Sequence, residues 1–332
     1  MTASRGKRPA GLEFAGTVVK AGSRQRFHLP IARLPTTQLM LPLEVEVVHG
    51  ADPGPRVWLS GAIHGDELNG IEIVRQVRDK LDPRALRGTV FLVPIVNGFG
   101  VINESRYLPD RRDLNRSFPG SARGSLASRL AEVFMREVVS PCSHGIDLHT
   151  GSNHRRNLPQ VRGNLDEAET LRCAQAFGAP ICVNVRSRDG SLRDAASRLG
   201  KHVLLYEAGE PLRFDREAIQ RGIQGTLAVL GHLGILEDVP ATPPTPILAN
   251  RTRWIRARTS GLFRLQVRLG DSVEPGQVVG RISDGFGDMN TAVRAAESGI
   301  VLGCQRNPMV RRGDGLVNLA CDAEPLRGVP QR

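Results

Sequence analysis

The sequence has few cysteines, few aromatic residues and no long apolar run, and each shortage excludes a class of protein. Its five cysteines form no C-x-x-C pair, which argues against a disulfide scaffold or zinc ribbon and favours a cytoplasmic chain. No run of about eighteen apolar residues predicts a transmembrane helix. The basic segment 1–16 lacks the apolar stretch of a secretory signal.

Lysine is scarce as well, so the basic charge of the chain comes from arginine. Lysine and arginine together number 45 against 34 acidic residues, a formal net charge of +11. The arginines are scattered, and the 4% of aromatic residues are too few for base-stacking surfaces. We therefore expect no nucleic-acid or membrane partner. We expect the positive electrostatic field of the chain to attract small acidic substrates. A homo-oligomer is left open.

The central part of the chain alternates between strand and helix patterns. Apolar runs at 57–60, 90–96, 145–149 and 202–206 are separated by amphipathic segments near 68–81, 125–139, 166–177 and 219–233. Such alternation predicts an α/β fold: a mostly parallel mixed sheet flanked by helices. Ligands of these sheets bind at the carboxyl ends of the strands.

Three regions are predicted along the chain. Residues 1–50 form a β segment packed on the catalytic domain, 51–239 form the α/β domain, and a proline-rich linker at 237–246 precedes a small all-β domain at 247–332. The last region resembles a biotinyl/lipoyl-type barrel. Carrier versions of that fold bear their cofactor on a lysine, and the last lysine is Lys201. We therefore expect an unmodified domain.

Two histidines and one glutamate are the candidate metal ligands. His64 and Glu67 follow one predicted strand three residues apart, and His149 ends another. All three fall at the carboxyl edge of the sheet, where two imidazoles and one carboxylate match a catalytic zinc site with an open fourth position. The alternative is a capped helix start, with Asp66 and Glu67 favoured by the helix dipole.

An arginine-rich loop is the second candidate feature. Segment 106–120 contains Arg106, Arg111, Arg112 and Arg116 beside Asn115. Arginines so close repel one another unless an anion shares the site, and their planar forks suit a substrate carboxylate. A solvated loop paired with its own aspartates is the alternative.

The ordered motifs resemble those of one family. His64-x-x-Glu67, Asp113-Leu114-Asn115-Arg116, Asp147-Leu148-His149-Thr150-Gly151 and the segment 204–210 occur in the order typical of the succinylglutamate desuccinylase/aspartoacylase family, relatives of the zinc carboxypeptidases. The resemblance covers roughly 56–235. It implies that one Zn²⁺ is bound by His64, Glu67 and His149.

The same resemblance implies roles for other residues. Glu207 would be the general base, with Glu210 as its competitor. Arg106 would stabilise the oxyanion, with Arg111 as its competitor.

Asn115 and Arg116 would hold the substrate carboxylate, and Arg111 is kept as a further binding candidate. Asp147 either orients His149 or is a strand-end turn residue. Arg155, Arg156 and Arg162 either line an acidic-substrate pocket or lie in a solvated loop.

The predicted function is a zinc-dependent amidohydrolase, or deacylase, that hydrolyses an N-acyl amino acid or a similar small carboxylated amide. One alternative is a metallocarboxypeptidase that acts on a peptide or cell-wall fragment. Another is a non-catalytic binding module on the same fold, against which the presence of the three ligands and the base argues.

Overall fold

The computed structural model describes residues 11–33, 40–237 and 246–326. Most of the predicted linker, and the first ten residues of the segment in which no secretory signal was predicted, lie outside the described residues.

The described residues form eighteen strands and six α-helices. The strands are β1 Leu12–Phe14, β2 Thr17–Val19, β3 Ser23–Arg33, β4 Met40–His49, β5 Asp52–Gly61, β6 Arg87–Val93, β7 His144–His149, β8 Arg155–Gly163, β9 Ile181–Asn184, β10 His202–Gly209, β11 Ile247–Arg256, β12 Gly261–Leu265, β13 Ser272–Val273, β14 Val278–Ser283, β15 Asn290–Arg294, β16 Gly299–Gln305, β17 Met309–Val310 and β18 Gly315–Pro325. The helices are α1 Asn69–Lys80, α2 Gly98–Ile102, α3 Leu126–Val133, α4 Ala168–Phe177, α5 Leu192–Arg198 and α6 Arg216–His232. A 3₁₀ turn spans Leu114–Arg116, and a π-helical turn spans Phe134–Val139.

One twelve-stranded sheet organises the chain in the order β13-β16-β18-β11-β9-β8-β10-β7-β5-β6-β4-β3. The pairs β5–β6, β5–β7, β7–β10, β8–β9 and β9–β11 are parallel. The pairs β4–β6 and β8–β10 are antiparallel. The predicted α/β fold is confirmed, and its sheet is mixed. The prediction that the sheet is mostly parallel is not confirmed, because further antiparallel pairs lie toward both ends of the sheet.

Helices cover both faces of the sheet because its central strands are apolar on both sides. In β5, Val57 and Leu59 pack into the core beneath α1, α4 and α6, while Trp58 between them packs into the opposite core with residues of α3 and α5. This alternation follows from the two-residue period of a strand. Because β5, β7 and β10 are parallel neighbours, their carboxyl ends lie at one edge of the sheet.

The C-terminal strands are divided between two sheets. Strands β11, β13, β16 and β18 extend the large sheet, and β12, β14, β15 and β17 form a separate four-stranded sheet. The described part of the N-terminal segment joins the opposite edge, where β3 pairs with β4. The predicted domain boundaries and the barrel-like character of the C-terminal region remain predictions.

No helix among the described residues has the length and apolarity needed to cross a membrane.

Candidate functional site

The structure brings the three predicted metal ligands together at the carboxyl edge of the sheet. His64 and Glu67 lie in the loop between β5 and α1, and His149 is the last residue of β7. His64 Nδ1 lies 2.7 Å from Glu67 Oε1, and His149 Nδ1 lies 2.7 Å from Glu67 Oε2. All three side chains are buried, and one ligand atom from each lies within 4.8 Å of the others.

Each imidazole also has a carboxylate behind it. Asp113 Oδ1 lies 3.2 Å from His64 Nε2, and Asp147 Oδ2 lies 2.7 Å from His149 Nε2. Asp147 is itself fixed by a 2.8 Å hydrogen bond from Ser60 Oγ. A carboxylate on the outer nitrogen orients a metal-binding histidine and raises its basicity.

The electrostatics favour a positive charge among these side chains. Burial opposes the ionisation of Glu67, but the two imidazoles outweigh it and hold the pKa of Glu67 well below its usual range. Burial likewise opposes protonation of His149, yet Asp147 and Glu67 raise its pKa well above the usual value. With both Nδ1 atoms turned toward one carboxylate, the donor set fits a divalent ion such as zinc.

Arg106 lies directly beside this cluster. Its Nη1 is 3.2 Å from His64 Nδ1 and donates to Ser152 Oγ at 2.6 Å. Its Nη2 and Nε donate to Asp113 at 2.8 and 3.1 Å, so the guanidinium is held in one orientation. Ser152 in turn donates to Glu67 Oε1 at 2.5 Å.

The predicted substrate-binding residues are divided by the structure. Asn115 and Arg116 line the cavity beside the metal ligands. Asn115 Oδ1 accepts a hydrogen bond from the backbone N–H of Leu192 at 2.9 Å, which fixes its amide. Arg111 is exposed in a turn at a φ of 61° and lies outside this cavity.

The two candidate bases are also separated. Glu207 lines the cavity and lies in register with His149 across β7 and β10. Asn157 Nδ2 donates to its Oε2 at 2.5 Å. Glu210 lies outside the cavity, where Arg213 Nε is 3.3 Å from its carboxylate.

The cavity has a volume of about 530 Å³ and a strongly cationic wall. Among the described residues that line it, the carboxylates are Glu67 and Glu207. Its arginines are Arg106, Arg116, Arg155, Arg162, Arg186, Arg188 and Arg193. Arg155 and Arg162 therefore line the pocket from β8, while Arg156 pairs with Asp215 at 2.9 Å outside it.

Arg193 on α5 is the cavity residue that sequence reasoning missed most clearly. It is 9% exposed, and its Nη1 has no hydrogen-bond partner among the described residues. Burial and the neighbouring Arg162 lower the pKa of Arg193 to about 10. A buried guanidinium with a free donor is suited to bind an anion. In the sequence, Arg193 is a lone arginine in a short helical segment, and no motif around it marks it as a binding residue.

The C-terminal strands complete the far side of the cavity. Thr252 and Trp254 of β11 and Asn318 of β18 line it. The Arg155 guanidinium stacks 4.8 Å from the centre of the Trp254 ring. The cavity is therefore bounded by residues from both halves of the chain.

Comparison with known proteins agrees with this arrangement. A model of the succinylglutamate desuccinylase/aspartoacylase catalytic domain matches residues 53–233. The N-alpha-acetyl-L-2,4-diaminobutyric acid deacetylase of Halomonas elongata is 30% identical over 315 residues, which cover 90% of this chain and 91% of that protein.

Solved structures match over nearly the whole chain. A succinylglutamate desuccinylase/aspartoacylase of Rhodobacter sphaeroides has a TM-score of 0.81 and 26% identity, with 91% of this chain and 95% of that chain covered. The ectoine utilization protein EutE (DoeB) of Ruegeria pomeroyi, solved with product bound, has a TM-score of 0.81 and 24% identity, with 89% and 94% covered. The second likeness shows the fold alone.

The family model and the deacetylase relative identify the class of this chain: it is a hydrolase that acts on amide bonds. The chain belongs to the succinylglutamate desuccinylase/aspartoacylase family, as its motifs predicted.

Proposed function

We propose that the protein is a zinc-dependent deacylase that hydrolyses the amide bond of small N-acyl amino acids. The observation that carries this proposal is the convergence of His64, Glu67 and His149 in an arginine-lined cavity that Glu207 also lines. The Halomonas elongata relative is a deacetylase of an N-acetylated amino acid, which agrees with this substrate class.

His64, Glu67 and His149 would hold the zinc ion, one per chain. When bound, zinc supplies Lewis acidity, which polarises the scissile carbonyl and lowers the pKa of water to about 7. Asp113 and Asp147 keep the Nδ1 atoms turned inward.

Glu207 is the proposed general base. Its carboxylate lines the same cavity as the metal ligands and is held by Asn157. It would take a proton from the attacking water and return that proton to the nitrogen of the leaving amine.

Arg106 would stabilise the negative charge that develops on the carbonyl oxygen. Its Nη1 side faces the metal ligands, and its other two nitrogens are fixed by Asp113. Because the donor is already oriented, little reorganisation is needed as the charge develops.

The positive charge of the residues that line the cavity favours an anionic substrate. Its seven arginines exceed its two glutamates, and Asn115, Arg116 and Arg193 would bind the carboxylate of the amino acid. Thr252, Trp254 and Asn318 bound one side of the cavity, which favours a small substrate over a long peptide. The cytoplasmic location remains part of the proposal.

The experiment is a release assay for free amine with purified, zinc-loaded protein. The panel contains N-acetyl, N-succinyl and N-formyl derivatives of aspartate, glutamate and 2,4-diaminobutyrate. We expect hydrolysis of at least one derivative, with kcat/KM higher for an acidic amino acid than for diaminobutyrate, because the ammonium group of diaminobutyrate would lie among arginines.

No amine release from any derivative by protein with zinc bound would refute the deacylase. Faster cleavage of a C-terminal residue from an unblocked peptide would favour the metallocarboxypeptidase instead.

A further inference from the structure

A second cluster of metal-ligating side chains lies at the opposite edge of the sheet from the catalytic cavity. His144 is the first residue of β7, Glu169 and Cys173 lie one turn apart on α4, and His232 is the last residue of α6. One ligand atom from each of His144, Glu169 and Cys173 lies within 4.8 Å of the others.

The spacing of these atoms matches ligands that share one ion. Glu169 Oε1 lies 3.5 Å from His144 Nε2, 3.7 Å from His232 Nε2 and 3.8 Å from Cys173 Sγ. The two nitrogen-to-oxygen separations exceed ordinary N–H···O hydrogen bonds of about 2.7–3.2 Å, and the Cys173 thiol donates a long hydrogen bond to the same oxygen. Ligands of a tetrahedral zinc ion, with bonds of about 2.0–2.3 Å, lie about 3.3–3.8 Å apart.

His144 presents a free nitrogen to this cluster. Its Nδ1 lies 2.8 Å from Ser143 Oγ, while its Nε2 is buried and has no hydrogen-bond partner among the described residues. With the proton on Nδ1 donated to Ser143, the Nε2 lone pair faces the Glu169 oxygen. Ser143 Oγ donates its own proton to the Arg56 carbonyl at 3.2 Å, which favours this tautomer, and a cation between the two acceptors would satisfy both.

A proton on Nε2 of His144 is the alternative cation, and it would bring neither a bound metal ion nor a charge-transfer band. The other carboxylate oxygen of Glu169 is occupied by Arg172 Nη2 at 2.6 Å, so Oε1 is the oxygen available to a metal.

We infer that His144, Glu169 and Cys173 form a second divalent metal site, separate from the catalytic one. His232 lies outside that 4.8 Å group, but its Nε2 is 3.7 Å from Glu169 Oε1, and we infer that it turns in as the fourth ligand. Two imidazoles, one thiolate and one carboxylate favour a borderline ion such as Zn²⁺ or Co²⁺ over Mg²⁺ or Ca²⁺. Four protein ligands leave no open position for substrate, so the ion would hold the amino end of β7 to α4 and α6.

Cobalt distinguishes the two sites by their chemistry. None of the described residues that line the catalytic cavity is a cysteine. A sulfur-to-cobalt charge-transfer band in the near ultraviolet can therefore report the second site but not the catalytic site. Failure of this proposal is thus separable from failure of the deacylase proposal.

The experiment adds Co²⁺ to the full-length chain after its metal has been removed with a chelator. We expect two ions per chain and a charge-transfer band. Cys173→Ser should lose the band and one ion, and Cys182→Ser, a buried cysteine outside the cluster, should keep both.

His232→Ala alters a partly exposed residue at a helix end and tests the fourth ligand without disturbing the core. We expect the cobalt affinity that the band reports to fall at least about tenfold. One ion per chain in the wild type, a band that persists in Cys173→Ser, or unchanged affinity in His232→Ala would each overturn the four-ligand site.

Discussion

Strands β7 and β10 carry ionisable residues at both ends, and the two ends are built differently. His149 and Glu207 lie in register at the carboxyl ends, and His144 and His202 lie in register at the amino ends. The carboxyl-end imidazole has a carboxylate on each nitrogen and faces an arginine-lined cavity. The amino-end imidazole has a hydroxyl behind it and shares one carboxylate oxygen with other protein donors.

The comparison shows that a histidine at the end of a strand does not by itself make a reactive site. A catalytic metal needs an open position and a neighbouring base, and the carboxyl end offers both a cavity and Glu207. The amino end surrounds its candidate ion with side chains, which suits a structural role.

The largest expected effect is on kcat, and it should differ between substitutions at the two ends of β10. Glu207→Gln should lower kcat by at least about a hundredfold because the amide cannot accept the proton from water. Its zinc content should stay at the wild-type level. The matched change at the other end of the strand, His202→Gln, should leave kcat unchanged.

Steady-state kinetics and metal analysis of both variants provide the check. An unchanged rate in Glu207→Gln would refute its role as the base.

Arg193 tests whether the cavity at the carboxyl edge binds an anion. Arg193→Met should raise KM about 10–100-fold with little change in kcat, because a charge-assisted hydrogen bond contributes about 1.5–3 kcal/mol. Arg198→Met on the same helix is the control, since Arg198 is exposed and pairs with Asp189 and Asp194. Equal KM values for both variants and the wild type would exclude Arg193 from substrate binding.

The smallest effects concern the groups behind the two imidazoles. Asp147→Asn should weaken zinc binding at the catalytic site about 10–100-fold. Ser143→Ala should weaken cobalt binding at the second site only about 2–10-fold, because one neutral hydrogen bond contributes about 0.5–1.5 kcal/mol. Titrations that follow each site separately measure both.

Each of these two substitutions should leave the other site unchanged. A loss at both sites from either change would mean that the two ends of β7 are coupled and do not act as independent sites.

Much of the fold was predictable because local patterns carry it. Helix α1 was expected near 68–81 and spans Asn69–Lys80, since its apolar residues recur every three or four positions. The sequence patterns predict no strand at Arg155–Gly163, a segment that is rich in polar residues and contains a proline. Its pairing with β10 and β9, not its own propensity, makes it a strand.

The order and spacing of its motifs determined what this chain is: an H-x-x-E pair after one strand and a histidine at the end of another place three ligands at one sheet edge. Only the tertiary structure decided which arginine and which glutamate reach the cavity, and added Arg193, Asn157 and Trp254. It alone assembled the cluster at the other end of β7. The physical reason is that a parallel sheet joins residues far apart in the chain, and no local spacing records which side chains its edges bring together.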